Sequence, residues 1–271
     1  MAPDVGAASE ARPNMLATKS PPIVAVVNQK GGVGKTTTAI NLAAAMAEVG
    51  HPTLLVDLDP QANSTSGLGL DPARARLNAY HLLVGEATVQ EVAQPTGAAG
   101  LTLVPSHIDL AGAEIELAAM TEREALLRNA LTSIPPDVEI VLIDCPPSLG
   151  LLTLNALVAA TSMLIPTQCE YFALEGLRHL MYTHQLVRTR LNPRLAIAGI
   201  LMTQFDARTT LAWDVLETVR RTHPHHVLET LIPRNVRISE APSHGKSVLE
   251  YDPTCKGAAA YRALAKELLE R

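Results

Sequence analysis

The segment from residue 23 to residue 46 constrains the fold of this chain more than any other. It begins with an apolar run over residues 23–27 and ends with a helical pattern over residues 39–46. Between them stand Lys30, Gly31, Gly32, Val33, Gly34, Lys35, Thr36 and Thr37. Glycines allow backbone N–H groups to turn inward around a polyanion, and a helix N-terminus adds a partial positive charge there. The segment therefore predicts a strand, a phosphate-binding loop and a helix.

Two side chains of this loop have predicted roles, and a third needs an explanation. Lys35 is expected to reach the β- and γ-phosphates of a nucleotide, and the Thr36 hydroxyl is expected to bind Mg²⁺. The strict phosphate-loop pattern is broken at Gln29, which stands where the first glycine belongs. Lys30 is a second lysine just before the glycine pair. Phosphate binding within one subunit does not explain it.

Two further apolar runs are predicted to be strands that end in carboxylates. Residues 53–56 lead into Asp57 and Asp59, and residues 138–143 lead into Asp144 and a Pro-Pro pair. Parallel strands bring their carboxyl ends to one edge of a sheet, where ligands bind. We therefore expect Asp144 to bind Mg²⁺-bound water or the loop threonine, and one of the other two to face the phosphates. A solvated turn is the weaker interpretation of Asp57 and Asp59.

The rest of the chain alternates between predicted helices and strands. The pattern predicts an α/β fold, a three-layer sandwich in which helices cover both faces of a mostly parallel, twisted sheet. Further strands are expected over residues 101–105, 162–168, 195–203 and 227–232. Helices are expected over residues 36–49, 111–133, 174–190, 211–222 and 257–270. Residues 63–72 are interpreted as a polar loop.

Composition excludes several classes of protein. The 271 residues are 47% hydrophobic and 18% charged, which excludes a chain that is disordered throughout. The formal net charge is −5, so any contact with nucleic acid must come from a local basic patch. No apolar run is long enough to span a membrane. Residues 1–20 are predicted to be a disordered tail, and residues 21–271 a single domain.

Cysteines and histidines give weaker signals. Cys145, Cys169 and Cys255 are far apart and form no CxxC pair, so they are interpreted as reduced thiols of a cytosolic protein. The histidines at positions 223, 225 and 226 have no carboxylate at close spacing before Glu229. A polar helix end is therefore favoured over a metal site.

Taken in order, these motifs resemble those of ParA/Soj chromosome-partitioning ATPases, which belong to the SIMIBI class of P-loop NTPases. The resemblance covers the chain from residue 23 to its end. The motifs that match are the deviant Walker A motif at residues 30–37, Val56-Asp57-Leu58-Asp59-Pro60-Gln61, Ile143-Asp144-Cys145-Pro146-Pro147 and the segment 232–246.

The resemblance implies an ATPase that uses ATP and Mg²⁺ and forms a homodimer when ATP is bound. It assigns Lys30 a role across the dimer, at the partner's phosphates, where a second cation would stabilise developing charge. It also implies that Asp59 positions the attacking water and that Asp57 supports the loop. The metal site would comprise Thr36, Asp59 and Asp144, and the adenine would lie against Pro233 and Asn235.

The resemblance also implies that the dimer binds double-stranded DNA without sequence specificity. Arg208 and Arg237 match arginines that bind DNA in the family, and Arg234 and Lys246 are further candidates for DNA contacts. Such binding depends on phosphate contacts and is expected to weaken steeply with salt. A ParB-type centromere-binding protein would be the partner, and the expected location is the nucleoid in the cytoplasm.

Three alternatives carry different expectations. A MinD-like positioning ATPase would bind membranes through a C-terminal amphipathic helix, but residues 258–271 lack a basic polar face. An electron carrier like the nitrogenase iron protein would need cluster cysteines, which Cys145 and Cys169 do not supply. An amidoligase or an enzyme like dethiobiotin synthetase would need a small-molecule pocket that the sequence does not reveal.

Overall fold

A computed structural model describes residues 20–170 and 173–271. The predicted disordered tail lies outside this range, apart from Ser20. The strands are β1 (Ile23–Val26), β2 (Thr53–Asp57), β3 (Gln94–Pro95), β4 (Leu101–Val104), β5 (Ile140–Asp144), β6 (Ser162–Gln168), β7 (Ala196–Phe205) and β8 (Val227–Pro233). The helices are α1 (Lys35–Glu48), α2 (Asn63–Gly67), α3 (Ala79–Val84), α4 (Val89–Val92), α5 (Leu110–Ala118), α6 (Leu126–Ala130), α7 (Leu151–Ala159), α8 (Ala173–Arg190), α9 (Thr210–Thr222), α10 (Val236–Glu240), α11 (Val248–Tyr251) and α12 (Lys256–Leu269). Short 3₁₀ turns cover Pro72–Arg74, Leu131–Ser133 and Ala241–His244.

The strands form one sheet in the order β3-β4-β2-β5-β1-β6-β7-β8. Every neighbouring pair is parallel except β3 and β4, which are antiparallel. β1 lies between β5 and β6, and the register pairs Val26 with Asp144 and Asp57 with Asp144. The loop after β1 and the carboxylates after β2 and β5 therefore meet at one edge of the sheet.

Helices cover both faces of the sheet, and each face has its own buried core. On one face, Val24, Val26 and Leu142 pack with α1 and α12. On the other face, Ala25 and Ile143 pack with helices α3 to α9. Because successive strand residues point to opposite faces, a central strand covered on both sides reads as a continuous apolar run. The predicted α/β three-layer fold is confirmed.

The prediction of one helix over residues 111–133 is wrong. α5 ends at Ala118, α6 begins at Leu126, and Glu122 between them adopts a left-handed backbone with φ 52°. Asn155 of α7 replaces the missing helical hydrogen bonds, because its amide donates to the Arg123 carbonyl (2.7 Å) and its oxygen accepts from the Leu127 N–H (3.1 Å). This tertiary contact has no signature in the local helical pattern.

The ends of the chain's other helices agree better with the sequence. α1 ends at Glu48, and Gly50 follows with φ 96°, the left-handed conformation expected of a glycine just past a helix. In α12, the apolar side chains of Tyr261, Leu264 and Leu268 are buried against the sheet. None of the helices within residues 20–170 and 173–271 combines the length and the apolar character required to cross a bilayer.

Candidate active site

The phosphate loop joins β1 to α1 at the carboxyl edge of the sheet. Gly32 and Gly34 have φ values of 77° and 86°, a conformation that side chains with a Cβ rarely adopt. Gly34 immediately precedes α1, and in the described part of the chain no side chain caps this helix and its first turn holds no acidic residue. The N–H groups of the loop and of the helix start are therefore available to an anion.

Lys35 supplies a buried positive charge at the start of α1. Its side chain lies close to the carboxylates of Asp144 and Asp59, and its Nζ donates to the Lys30 carbonyl at 3.3 Å. Burial lowers the pKa of the Lys35 ammonium, and the two carboxylates act in the opposite direction. The fold thus brings together three of the predicted site residues, which come from three different strand-to-loop junctions.

Asp144 ends β5 and is completely buried. Its Oδ2 accepts a hydrogen bond from the Ser64 hydroxyl at 2.8 Å. Burial raises the pKa of the Asp144 carboxyl, whereas the hydroxyls of Ser64 and Thr36 and the charge of Lys35 lower it. Among the residues that the structure describes, Asp144 Oδ1 is a buried atom without a hydrogen-bond partner. An unpaired carboxylate oxygen and the nearby Thr36 hydroxyl are oxygen ligands of the kind that Mg²⁺ prefers.

Asp57 holds the segment after β2 in place. Its Oδ1 accepts from the Asp59 N–H (3.2 Å), and its Oδ2 accepts from both the N–H and the hydroxyl of Thr65 (2.8 and 2.7 Å). Burial and the neighbouring Asp144 carboxylate raise the pKa of the Asp57 carboxyl, and the Thr65 hydrogen bonds oppose this. The Thr65 hydroxyl also accepts from the Ser106 N–H at 2.8 Å. Asp57 is thereby anchored inside a network.

Asp59 is nearly buried and lies just beyond the end of β2. Its Oδ1 accepts from the Gln61 N–H at 3.0 Å, and its main-chain carbonyl accepts from the Ser106 hydroxyl at 2.6 Å. These contacts fix the backbone of Asp59 next to Lys35 and Asp144.

Sequence reasoning missed the hydroxyl residues that support these carboxylates. Residues 63–72 were expected to be a polar loop, but Asn63–Gly67 form α2, from which Ser64 and Thr65 reach Asp144 and Asp57. A run of small polar residues has no helical periodicity of its own. The one local signal was the presence of two adjacent hydroxyl residues shortly after the aspartates.

A cavity of about 250 Å³ opens beside the phosphate loop. Its lining includes Gly34 and Thr37 of the loop region and Pro233 and Asn235, the residues predicted to hold adenine. Asn235 also caps α10 by accepting from the Arg237 N–H at 2.8 Å. Two of the residues predicted at the phosphates and both of those predicted at the adenine therefore line one space.

The end of β7 fastens the phosphate loop from the other side. The Thr203 hydroxyl donates to the Val33 carbonyl and the Gln204 amide to the Gly32 carbonyl, both at 2.8 Å. Gln204 has a left-handed backbone, with φ 50°, and its side-chain oxygen accepts from Gln168 at 3.1 Å. Neither Thr203 nor Gln204 was predicted, because the sequence gives no sign that this strand end meets the loop.

The Lys30 side chain has a different environment from that of Lys35. Its N–H donates to the Asn28 side-chain oxygen at 3.0 Å, and its ammonium forms an ion pair with the carboxylate of Glu170. The two ion-paired side chains are 41% and 46% exposed. The two lysines of the loop therefore differ in kind: Lys35 is enclosed by its own subunit, and Lys30 is half-exposed to solvent.

The predicted DNA-binding residues lie at and beyond the ends of β7 and β8. Arg208 follows β7, and Arg234 follows β8 and donates its N–H to the Phe205 carbonyl at 3.1 Å. Arg237 lies in α10, and Lys246 is exposed after the turn at Gly245. We call Arg208, Arg234, Arg237 and Lys246 the basic surface.

Two of these arginines are paired with carboxylates of the same chain. The Arg208 guanidinium donates twice to Asp206, at 2.9 and 2.7 Å, and thereby lowers the pKa of the Asp206 carboxyl. Arg237 pairs with Glu240 at 2.8 Å and with Asp252 at 3.3 Å. The Arg208 side chain is 87% exposed, so its ion pair is open to competition from other anions.

The structure shows where the cysteine and histidine side chains lie. Cys145, Cys169 and Cys255 are free thiols, and burial raises the pKa of the Cys145 and Cys169 thiols. Within residues 20–170 and 173–271, no group of His, Cys, Asp and Glu side chains has the spacing of a metal cluster. His223 directly follows α9, whose last residue is Thr222.

Comparisons with known proteins place these features in a family. A family model described as an AAA domain matches residues 22–197. The sporulation initiation inhibitor protein Soj of Bacillus subtilis is 51% identical over 246 residues, which cover 91% of this chain and 97% of Soj. The chromosome partitioning protein ParA of Myxococcus xanthus is 51% identical over 249 residues, covering 92% of this chain and 88% of that protein.

Solved structures share the fold of this chain. A structure named cobyrinic acid a,c-diamide synthase from Mycobacterium smegmatis, with a bound ATP analogue and magnesium, has a TM-score of 0.82 and 41% identity over 92% of this chain and 95% of that chain. The cell division ATPase MinD of Pyrococcus furiosus has a TM-score of 0.75 and 28% identity, over 92% and 98% of the two chains. This chain thus belongs to the ParA/Soj family of chromosome-partitioning P-loop ATPases, and its cofactors are ATP and Mg²⁺.

Proposed function

We propose that this chain is a DNA-segregation ATPase that dimerises around ATP, binds DNA non-specifically as a dimer, and leaves DNA when a ParB-type partner stimulates hydrolysis. The observation that carries the proposal is the difference between the two lysines of the phosphate loop. Lys35 is buried beside Asp59 and Asp144, whereas the Lys30 side chain is 41% exposed. A half-exposed cation on a phosphate loop is accessible to a second subunit, whose phosphates it would stabilise.

The proposed catalytic residues are Lys30, Lys35 and Asp59. The loop residues 30–37 bind the phosphates, while Pro233 and Asn235 hold the adenine. Thr36, Asp59 and Asp144 form the metal site, where Mg²⁺ would offset phosphate charge. Asp59 orients the attacking water, a role supported by its fixed backbone and its burial beside Lys35.

The proposed DNA contacts come from the basic surface. One copy presents few cations on a chain whose net charge is −5, so binding by a monomer is expected to be weak. A dimer doubles the number of phosphate contacts, and the free energies of those contacts add. DNA binding would then follow ATP-dependent dimerisation, and it would place the protein on the nucleoid.

The most direct test measures DNA binding with ATP, with ADP and without nucleotide, each across a salt series. We expect binding only with ATP and a steep fall in affinity as salt increases, because phosphate contacts release counterions. Fluorescence anisotropy with two duplexes of unrelated sequence measures the affinity in each nucleotide state and its dependence on salt. Equal binding in all three nucleotide states, or strong preference for one duplex, would refute the proposed switch.

Lys30→Ala tests the role across the dimer. The variant is expected to bind ATP but to remain a monomer, because the buried Lys35 still serves its own subunit. Light scattering with a non-hydrolysable ATP analogue measures the mass. Lys266→Ala is the matched control, since Lys266 is 76% exposed on α12. If Lys30→Ala still formed an ATP-dependent dimer, the proposed role of Lys30 across the dimer would be wrong.

Asp59→Ala tests water positioning. The variant is expected to bind ATP, dimerise and stay on DNA, because hydrolysis no longer releases it. Phosphate release and the dissociation rate from DNA are the measurements, with the exposed Asp137→Ala as control. Ordinary turnover would remove Asp59 from the mechanism.

The similarity to the structure named cobyrinic acid a,c-diamide synthase suggests a second candidate function, that of an amide-forming synthetase. That structure is 41% identical to this chain, whereas Soj and ParA are 51% identical over a similar share of it. ADP formation that depends on cobyrinic acid and an amide donor, and not on DNA or ParB, would favour the synthetase. α12 does not have a free apolar face for a membrane, because its apolar side chains are buried, and ATP-dependent pelleting with lipid vesicles would favour the MinD-like alternative.

A further inference from the structure

The ion pair between Lys30 and Glu170 has no part in the function proposed so far. Glu170 follows β6, the strand next to β1, and its carboxylate contacts the ammonium of Lys30. These two side chains are separated by 140 positions in the sequence, so the contact is made by the fold.

The surroundings hold both partners close together. The Asn28 amide donates to the Pro166 carbonyl at 2.7 Å, which ties the phosphate loop to the end of β6. The Glu170 N–H donates to the Gln168 carbonyl (2.8 Å), and the Glu170 carbonyl accepts from the Ala173 N–H (3.0 Å) at the start of α8. The backbones of Lys30 and Glu170 are therefore held in place before a second subunit binds.

We propose that Glu170 is a positioning residue that holds Lys30 within its own subunit until the phosphates of a second subunit's ATP replace it. This inference rests on the proposed ATP-dependent dimer and adds a step to it. The ammonium has three N–H donors, and each one that it directs to a partner's phosphate is withdrawn from Glu170, so the two anions compete for Lys30. Dimerisation then includes an exchange of anions at Lys30, and Glu170 sets the ATP and protein concentrations at which the dimer forms.

The size of the effect follows from the exposure of the pair. Ion pairs in contact with solvent contribute up to about 1 kcal/mol, which corresponds to about fivefold in an equilibrium constant. A dimer releases two such pairs. Removing the carboxylate is therefore expected to lower the dimer dissociation constant by about two- to 25-fold.

The experiment compares Glu170→Gln with the wild type and with Glu175→Gln. Glu175 is exposed in the first turn of α8, so its substitution removes the same charge from the same segment. The dimer dissociation constant is measured by analytical ultracentrifugation with a non-hydrolysable ATP analogue and Mg²⁺. Glu170→Gln is expected to dimerise more tightly, Glu175→Gln to match the wild type, and Glu170→Asp to shift less than Glu170→Gln.

Two further measurements separate an effect on Lys30 from an effect on nucleotide binding or on folding. The affinity of the monomer for the analogue, measured at low protein concentration, is expected to stay unchanged, and so is the urea midpoint. Weaker or unchanged dimerisation of a folded Glu170→Gln, or an equal shift in Glu175→Gln, would overturn the inference. A wild type that never dimerises with ATP would instead refute the proposed function, so the two failures are distinguishable.

Discussion

The nucleotide end of the molecule comprises the phosphate loop, Asp57, Asp59 and Asp144. Its side chains and those of the basic surface are held by different kinds of contact. At the nucleotide end, Ser64 bonds Asp144 and Thr65 bonds Asp57 across 80 and eight positions of sequence, and both carboxylates are completely buried. At the basic surface, Arg208 pairs with Asp206 only two positions away, and both guanidinium contacts are exposed.

This difference separates a preformed site from one that a ligand must rearrange. Buried hydrogen-bonded carboxylates keep their geometry, because breaking such contacts leaves unsatisfied polar groups. Exposed ion pairs are weak, so phosphates can displace them at little cost. We therefore expect substitutions at the nucleotide end to have large effects and those at the basic surface to have graded, salt-dependent effects.

Lys35→Ala is expected to have the largest effect. Removing a buried cation that would meet phosphate, while leaving Asp59 and Asp144 beside an empty space, should weaken ATP binding by about 30-fold or more. Isothermal titration with ATP and Mg²⁺ measures it, and Lys266→Ala should bind as the wild type does. Nucleotide affinity within a few-fold of the wild type would mean that the phosphate loop is wrongly assigned.

Thr65→Val is expected to destabilise the fold without touching the phosphates. The substitution keeps the shape of the side chain but removes the hydroxyl that donates to Asp57 and accepts from Ser106. Losing these buried hydrogen bonds should cost about 1–3 kcal/mol in the free energy of unfolding. Urea unfolding measures it.

Thr189→Val is the control for Thr65→Val. The Thr189 hydroxyl donates to the Gln185 carbonyl at 2.8 Å on the exposed face of α8, and its loss should cost less than about 0.5 kcal/mol. Equal losses in the two variants would show that the network around Asp57 is not rigid, which would weaken the contrast with the basic surface.

Most of the nucleotide end could be predicted from the sequence because its signals are local. The apolar runs of β1 and β5, the glycines of the loop and the aspartates at the strand ends each stand within a few residues of one another. Parallel strands then bring them to one edge, whatever the details of the connections. Lys35, Asp144 and one of the two aspartates after β2 were predicted at one site for this reason. The family resemblance singled out Asp59, and the structure brings Lys35, Asp59 and Asp144 together.

The parts that sequence reasoning missed depend on contacts between distant segments. Ser64 and Thr65 become informative only when α2 is placed above the two aspartates, and Gln204 only when β7 reaches the loop. The partner of Lys30 was likewise unpredicted, since Glu170 is an ordinary acidic residue until the order of β1 and β6 is known. The helix break near Glu122 has the same cause, because Asn155 lies on another helix.

Arg208→Glu tests the basic surface by reversing one charge in each subunit. A dimer loses two phosphate contacts and gains two repulsive charges, so DNA affinity should fall by about tenfold or more, with a shallower salt dependence. ATP-dependent dimerisation should persist. Arg74→Glu is the control, because Arg74 is 88% exposed and contacts a nearby carboxylate, Asp71, at 3.2 Å. Unchanged gel shifts would remove Arg208 from the surface.

Asp206→Asn is the smallest change and the sharpest test of the comparison. Asparagine keeps the oxygen that accepts from the Arg208 N–H at 3.1 Å, so the turn is retained while the carboxylate charge that holds the guanidinium is lost. If DNA phosphates displace a weak exposed pair, the variant should bind DNA about two- to fivefold more tightly per subunit. Anisotropy titrations with ATP measure it, and Asp71→Asn, which frees Arg74 in the same way, should have no effect. Weaker binding by Asp206→Asn would instead show that the ion pair orients Arg208 toward DNA, and the basic surface would then be as preformed as the nucleotide site.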